Sequence, residues 1–145
     1  MEFPKKYTCA IARSVSLLGN KWSLLILRDI ILHKKSRFKE FKSSKEKIAT
    51  NILTNRLKFL VEAGFIEKIK PLGTKKSTRY IALDKGISAL PIVIEMYLFS
   101  IHSINESVLN ESQLNIKAAL MRNRKAFEKK RIKEYLEFAK DLRGL

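Results

Sequence analysis

The chain has 145 residues, 46% of them hydrophobic, which is enough for one domain with a buried core and a short appendage. Its 30 Lys and Arg residues against 14 Asp and Glu give a formal net charge of +16, so we expect a polyanionic partner, with nucleic acid as the first candidate. The sequence has no run near the roughly 20 apolar residues of a membrane span and no signal-peptide core, which predicts a cytoplasmic protein without membrane contact.

Residue types that carry catalysis or bind metals are scarce. A single cysteine, Cys9, excludes an internal disulfide framework, and with only two histidines it forms no ligand cluster for zinc. We find no Ser, His and acid set at a recognisable spacing and no Gly-rich phosphate loop. The sequence therefore predicts no metal, no cofactor and no enzymatic activity.

The N-terminal third is predicted to be helical. Apolar residues recur at helical spacing from Cys9 to Leu18 and again from Trp22 to about His33, with Gly19-Asn20 as the interruption. Trp22 is expected in the core rather than stacked on a ligand, because it lies in an apolar helix. A basic turn, Lys34 to Arg37, then leads into a short amphipathic helix.

The next helix has two different faces. Its predicted buried stripe consists of Ile48, Ile52, Leu53, Leu57 and Leu60. The polar residues fall largely on the other side, namely Thr50, Asn51, Thr54, Asn55 and Lys58. Gly64 is expected to close this helix as a C-cap.

Beyond Gly64 the period changes to two. Residues 65–70 and 78–83 predict two strands of a hairpin, joined by a charged turn. Asp84 is predicted to cap one helix that extends to Ile101. Because this helix is apolar on nearly all sides, more than one surface must cover it, and we expect a dimer contact here and on the first helix.

The last part of the chain is predicted to form an appendage. A polar patch, residues 105–115, separates the preceding helix from a single basic amphipathic helix, residues 116–142. We therefore divide the chain into a DNA-binding and dimerisation domain, residues 1–104, and a linker with a basic C-terminal helix, residues 105–145. Either the apolar stripe of that helix reaches across the dimer or its basic face lies along DNA phosphates.

This order of elements is that of a winged helix-turn-helix. We expect a mainly α fold with a small two-stranded β wing and an additional C-terminal helix. The buried leucines would anchor the helix that contains residues 48–60 and leave its polar face free to enter a DNA major groove. Asn side chains can bond adenine in a bidentate manner and a Thr methyl can touch a thymine methyl, although an ordinary solvated face has the same periodicity.

The residues also resemble a known family. Cys9 and the run Leu17 to Asp29, followed by residues 37–41, 48–60 and 62–66, resemble HxlR-type transcriptional regulators, which are similar to the MarR group. The resemblance implies homodimers that bind a palindromic operator on double-stranded DNA. It makes the helix with this polar face the recognition helix, which reads the DNA bases. It also places Lys75, Lys76 and Arg79 on the wing. The basic residues Lys34, Lys35 and Arg37 are predicted to contact the DNA backbone.

The sequence departs from the usual pattern of the family at three places, one of which is residues 80–86, where the usual Leu-Thr pair before the last helix is displaced. Ala10 and Ala12 follow Cys9 where the family usually has Pro and often an acidic residue, and Ala49 replaces the Ser that often caps the recognition helix. Two interpretations of Cys9 stay open: a redox sensor that pairs between subunits, or a small apolar residue at the dimer interface.

The predicted function is a sequence-specific regulator whose operator affinity responds to an unidentified effector or to redox state. The alternative is a basic protein of the nucleoid or RNA-binding type that uses charge without specificity. Asn and Thr side chains on the recognition helix favour the regulator, because they can bond individual bases, whereas a purely electrostatic binder would carry Lys and Arg there.

Overall fold

The computed structural model describes residues 9–71 and 78–144. Helices surround one hydrophobic core, and a two-stranded sheet lies at one side of it. In chain order the elements are α1 (Ala10–Leu18), α2 (Lys21–His33), α3 (Phe38–Lys42), α4 (Thr50–Glu62), β1 (Ile66–Ile69), β2 (Arg79–Ala82), α5 (Asp84–Ile87), α6 (Leu90–Ile101), a short 3-10 turn (Glu106–Val108), α7 (Glu111–Arg122) and α8 (Arg124–Arg143). The fold class predicted from the sequence is confirmed.

Helix α2 is the centre of the fold and contacts α1, α4, α6, α8 and β2. The Asn20 side chain caps its first turn by accepting hydrogen bonds from the backbone N–H groups of Trp22 and Ser23, at 2.9 and 3.3 Å. Its inward residues Leu27 and Ile30 are fully buried. Because five other elements pack on it, α2 sets the position of the helix-turn-helix relative to the rest of the molecule.

The sheet is an antiparallel pair in which Ile66 lies opposite Ala82. The outer edge of β2 also has partners. The N–H of Tyr80 donates to the carbonyl of Ser36, and the N–H of Ala82 donates to the hydroxyl of Tyr135, both at 2.8 Å. Strand β2 is therefore held between β1 on one side and groups from two distant segments on the other.

The prediction of one helix from Asp84 to Ile101 is wrong. The chain forms two helices here, and Leu83 rather than Asp84 is the N-cap residue of the first. Pro91 explains the break, since it has no N–H to donate to the carbonyl of Ile87 and its ring would clash with that carbonyl. A proline is tolerated in the first turn of a helix, which is where α6 places it.

The C-terminal segment also forms two helices instead of the single one predicted over residues 116–142. Helix α7 begins within the expected polar patch, where Asn110 and Gln113 bond each other's backbone N–H in a capping box. Asn123 ends α7 in an extended conformation and caps α8 by accepting from the N–H of Ala126. Two asparagine caps thus set boundaries that periodicity alone did not indicate.

Helix α8 packs into the same core as the N-terminal helices. Phe127, Tyr135 and Ala139 are buried, and Tyr135 is fully enclosed. The guanidinium of Arg131 donates to the carbonyl of Leu32, and Arg143 forms an ion pair with Glu67 of β1. The apolar stripe of α8 is therefore largely covered by its own chain.

Candidate nucleic-acid interface

Helix α4 is anchored from below by leucines. Leu53, Leu57 and Leu60 are at most 2% exposed and pack in the core, as the apolar stripe predicted. Ala49 occupies the N-cap position and makes no side-chain cap hydrogen bond. At the other end Gly64 adopts a positive φ of 80°, which favours a residue without a Cβ, directly after the C-cap Ala63.

The opposite face of α4 is open to solvent. Five predicted DNA-contacting residues are exposed on it, namely Thr50, Asn51, Thr54, Asn55 and Lys58. The Thr54 hydroxyl donates to the carbonyl of Thr50 at 2.9 Å, which leaves its methyl group as the outer contact. Hydrogen-bonding side chains thus lie along one exposed face of a helix whose other face is fixed.

The two lysines of the basic turn between α2 and α3 have different surroundings. Lys34 is exposed and ends α2 in the left-handed conformation, with φ of 52°. In contrast, the ammonium of Lys35 donates to the Ser44 hydroxyl at 3.0 Å and pairs with Asp29 at 3.4 Å. Of the two lysines, Lys34 is thus the more accessible to a phosphate.

Arg37 precedes α3, and Arg79 of β2 reaches the same turn through Ser36. Arg79 donates to the hydroxyl of Ser36 at 3.0 Å, and its buried Nε has no hydrogen-bond partner among the described residues. Burial lowers the pKa of Arg79, and the positive charge of Arg37 lowers it further. The two wing lysines, Lys75 and Lys76, lie outside the described residues.

Glu40 orders the start of α3 from inside this basic region. Its carboxylate accepts from the N–H groups of Ser36 and Arg37, at 3.1 and 2.9 Å. Burial by itself would raise the pKa of Glu40, but these two hydrogen bonds and the nearby arginines outweigh it and hold the pKa below its ordinary value. The backbone that carries Arg37 is thus fixed by a carboxylate.

A polar network that sequence reasoning missed holds the turn between α3 and α4. Asp29 is 3% exposed and accepts hydrogen bonds from Arg28 and from the hydroxyl of Ser44. Arg28 also pairs with Glu46 at 2.8 Å. Two consecutive residues of α2 therefore bind two points of the turn that leads into α4. An acidic residue within an apolar helical run was the signal available in the sequence.

Apolar side chains are exposed on α1 and α6. Ile11 and Val15 are 74% and 60% exposed, and Phe99 of α6 is 88% exposed. Ile92 and Met96 lie on the same face of α6 as Phe99, at helical spacing. Cys9 lies at the N-cap of α1 and is exposed as well.

Trp22 is partly buried and packs against the core, with the ammonium of Lys21 4.5 Å from its ring centre.

Within residues 9–71 and 78–144, no helix has the length and apolar character needed to cross a bilayer. The same residues contain no group of three His, Cys, Asp or Glu side chains placed to hold a metal ion.

The fold and this surface define a winged helix-turn-helix protein, and comparison with known proteins gives the family. The sequence profile of the HxlR-like helix-turn-helix family matches residues 17–108. The chain belongs to this family, which confirms the resemblance found in the sequence.

Its relatives include two uncharacterised HTH-type transcriptional regulators of Bacillus subtilis (strain 168). YtcD is 29% identical over 119 residues, which cover 78% of this chain and 94% of YtcD. YdzF is 31% identical over 83 residues, 57% of this chain and 76% of YdzF. The structure is also similar to the reduced form of the transcriptional regulator YodB from B. subtilis, with a TM-score of 0.52, 27% identity, and coverage of 65% of this chain and 92% of YodB. The family and these relatives are transcriptional regulators rather than enzymes, and the chain shares that class.

Proposed function

We propose that this chain is a homodimeric regulator that binds a palindromic operator on double-stranded DNA with sequence specificity. The exposed face of α4 carries the proposal, because it presents amide and hydroxyl groups where a non-specific binder would present charge. Each good bidentate contact to a base discriminates by about 1–3 kcal/mol, so Asn51 and Asn55 suffice for a measurable preference.

Phosphate contacts in this proposal come from around the recognition helix. Lys34, Arg37 and Arg79 supply them, together with Lys75 and Lys76 of the wing. Lys35 adds to the positive field although Asp29 partly neutralises it. Arg79 donates to the hydroxyl of Ser36, directly before Arg37, and two arginines at one turn support an anionic partner.

The homodimer is proposed to form through α1 and the exposed face of α6. Exposed apolar side chains on both helices support this contact. Two-fold symmetry would place two recognition helices about 34 Å apart, one turn of DNA, as a palindrome requires. In this division of the chain, residues 1–104 bind DNA and dimerise, while residues 105–145 form a C-terminal segment that packs against them. The protein is proposed to act in the cytoplasm.

A DNA titration tests specificity. Fluorescence anisotropy would compare the DNA upstream of the protein's own gene with a scrambled duplex, for the wild type and for Asn51→Ala and Asn55→Ala. We expect each substitution to remove about 1–3 kcal/mol of the preference for the upstream DNA while changing the scrambled duplex little. Lys58→Gln is the matched control and should weaken both duplexes alike. Equal binding of both duplexes by the wild type would instead favour the non-specific alternative.

Light scattering tests the dimer. Phe99→Asp introduces a charge into the proposed contact and should shift the protein toward the monomer, whereas Leu136→Asp, on the exposed side of α8, should not. A wild type that is monomeric at the concentrations used for DNA binding would contradict the proposal.

Redox control through Cys9 is the remaining part of the proposal. The thiol is exposed at the start of α1, beside the proposed dimer contact, so two subunits could bring their thiols together. A relative, YodB, has been solved in a defined reduced form. Diamide treatment should yield a covalent dimer on a non-reducing gel for the wild type and not for Cys9→Ser.

A further inference from the structure

A groove with a volume of about 900 Å³ runs between α2, α6 and α7. Volumes of this size hold ligands as large as typical cofactors and drugs. Its apolar lining includes Leu24, Leu25, Val93, Tyr97, Ile116 and Leu120. Residues of α7 lie outside the stretch that matches the HxlR profile, so part of this groove is built by the C-terminal segment of this chain.

The groove adjoins the proposed dimer contact at Met96 and otherwise lies on a different face of α6. Val93, Tyr97 and Ser100 recur at helical spacing and form the face of α6 that lines the groove. Ile92 and Phe99 lie on a different face of the same helix and do not line it, whereas Met96, which lies on that second face, also lines the groove. A second subunit seated on Phe99 would therefore reach the edge of the groove at Met96 and leave the rest of its lining available to another occupant.

The charged lining of the groove is unbalanced. Four Lys and Arg side chains line it, namely Lys21, Arg28, Lys35 and Lys45, against the two carboxylates Asp29 and Glu46. Arg28 and Lys35 are paired with those carboxylates, whereas Lys21 and Lys45 form no ion pair with a described residue. An apolar cavity with surplus positive charge complements an apolar molecule that carries a negative charge.

One wall of the groove is the turn of the helix-turn-helix itself. Ser43, Lys45 and Glu46 of this turn line the groove, and so do Arg28 and Asp29, which hold the turn to α2. An anion near Arg28 would compete with Glu46 for the guanidinium. Loss of the Arg28–Glu46 pair frees one of the two points that fix the start of α4.

We infer that the groove between α2, α6 and α7 binds an apolar organic anion and that its occupancy loosens the turn before the recognition helix. The ligand places its apolar body against α6 and α7 and its negative group toward the cationic side of the groove. The binding site stands on the geometry of the groove alone. Its effect on DNA rests on the proposed regulator function.

Binding is tested first without DNA. The probe is 1-anilinonaphthalene-8-sulfonate, and N-phenyl-1-naphthylamine is its counterpart without the sulfonate. We expect saturable fluorescence enhancement by both probes, with the sulfonate binding at least threefold more tightly. Ser100→Trp should fill the groove and abolish saturable binding, whereas Ser103→Trp, which lies one turn further along the chain and does not line the groove, should bind as the wild type does.

Charge is tested by a double substitution. Lys21→Gln with Lys45→Gln should reduce the affinity for the sulfonate at least threefold and leave the uncharged probe unchanged. Lys125→Gln with Lys129→Gln removes two exposed lysines of α8 outside the groove and should change neither affinity. Equal binding of both probes, or wild-type binding by a folded Ser100→Trp variant, would overturn the site.

The coupling to DNA is tested last. Saturating sulfonate probe should weaken binding of the upstream DNA at least threefold for the wild type and leave Ser100→Trp unaffected. A probe that binds the groove without changing the DNA affinity overturns the coupling. A wild type that binds no DNA refutes the proposed function, while the fluorescence titrations still decide whether the groove is a site.

Discussion

Tyr135 offers a sharp test of how α8 supports the wing. Its ring is fully buried, and its hydroxyl accepts a hydrogen bond from the N–H of Ala82 at 2.8 Å. Tyr135→Phe keeps the ring and its packing against Phe138, 6.0 Å away between ring centres, and deletes only the acceptor. The change therefore isolates one hydrogen bond between residues 53 positions apart.

The expected loss follows from the environment of the donor. Ala82 is 6% exposed, so its N–H has little access to water as a replacement partner. Leaving a buried donor unsatisfied costs about 1–3 kcal/mol, and the retained ring creates almost no cavity. We expect the free energy of unfolding to fall by about 2 kcal/mol.

Urea denaturation followed by circular dichroism measures this difference. The midpoint should fall while the slope with denaturant stays unchanged, since the surface exposed on unfolding is the same. Tyr80→Phe is the matched control, because it removes a tyrosine hydroxyl from β2 that has no hydrogen bond with a described residue. A Tyr135→Phe variant within about 0.5 kcal/mol of the wild type would refute the role assigned to this hydroxyl.

Three further measurements follow from the same contacts. Burial raises the pKa of Tyr135 to about 12, against a smaller opposing effect of the Ala82 hydrogen bond. Its contribution to stability is therefore complete below about pH 10 and is lost as the pH rises through 12, and the unfolding free energy of Tyr135→Phe should lack this alkaline decline. Ala49→Ser should raise the melting temperature by adding a side-chain cap worth about 1 kcal/mol, and an unchanged melting temperature would show that position 49 does not cap α4. Asp29→Asn should cost about 1.5–3 kcal/mol in urea denaturation by weakening the charge-assisted bonds from Arg28 and Lys35, and an unchanged midpoint would contradict the network.

Features that repeat locally along the chain were predictable from the sequence. The two faces of α4 follow from the 3.6-residue period, because Leu53, Leu57 and Leu60 fall on one side of any helix formed there. The hairpin follows from the change of period after Gly64. The role of the polar face of α4 stays a prediction, since its exposure agrees with base contact without testing it.

Helix boundaries were harder, because short signals compete with long patterns. The apolar positions between Asp84 and Ile101 fit a single helix, yet the missing N–H of Pro91 divides it. Asn123 likewise interrupts a stripe that continues on both sides of it. One residue with a strong backbone preference decided each boundary.

Contacts between distant residues could not be predicted from the pattern. Arg28 and Glu46 are 18 positions apart, and their pair exists only because the turn between α3 and α4 folds back onto α2. Arg131 and Leu32 are 99 positions apart. Periodicity describes the face of a helix but not its neighbour, so it placed α8 in an appendage while the structure places its aromatic side chains in the core.

The partners on the outer edge of β2 also bear on how this protein avoids unwanted assembly. A free strand edge is a template for pairing with another chain, and small sheets with open edges are prone to domain swapping and fibril growth. Here the carbonyl of Ser36 and the hydroxyl of Tyr135 already occupy the outward N–H groups of Tyr80 and Ala82. A second molecule therefore finds neither of these two N–H groups free for pairing, so the outer edge of β2 is protected from extension by a strand of another copy.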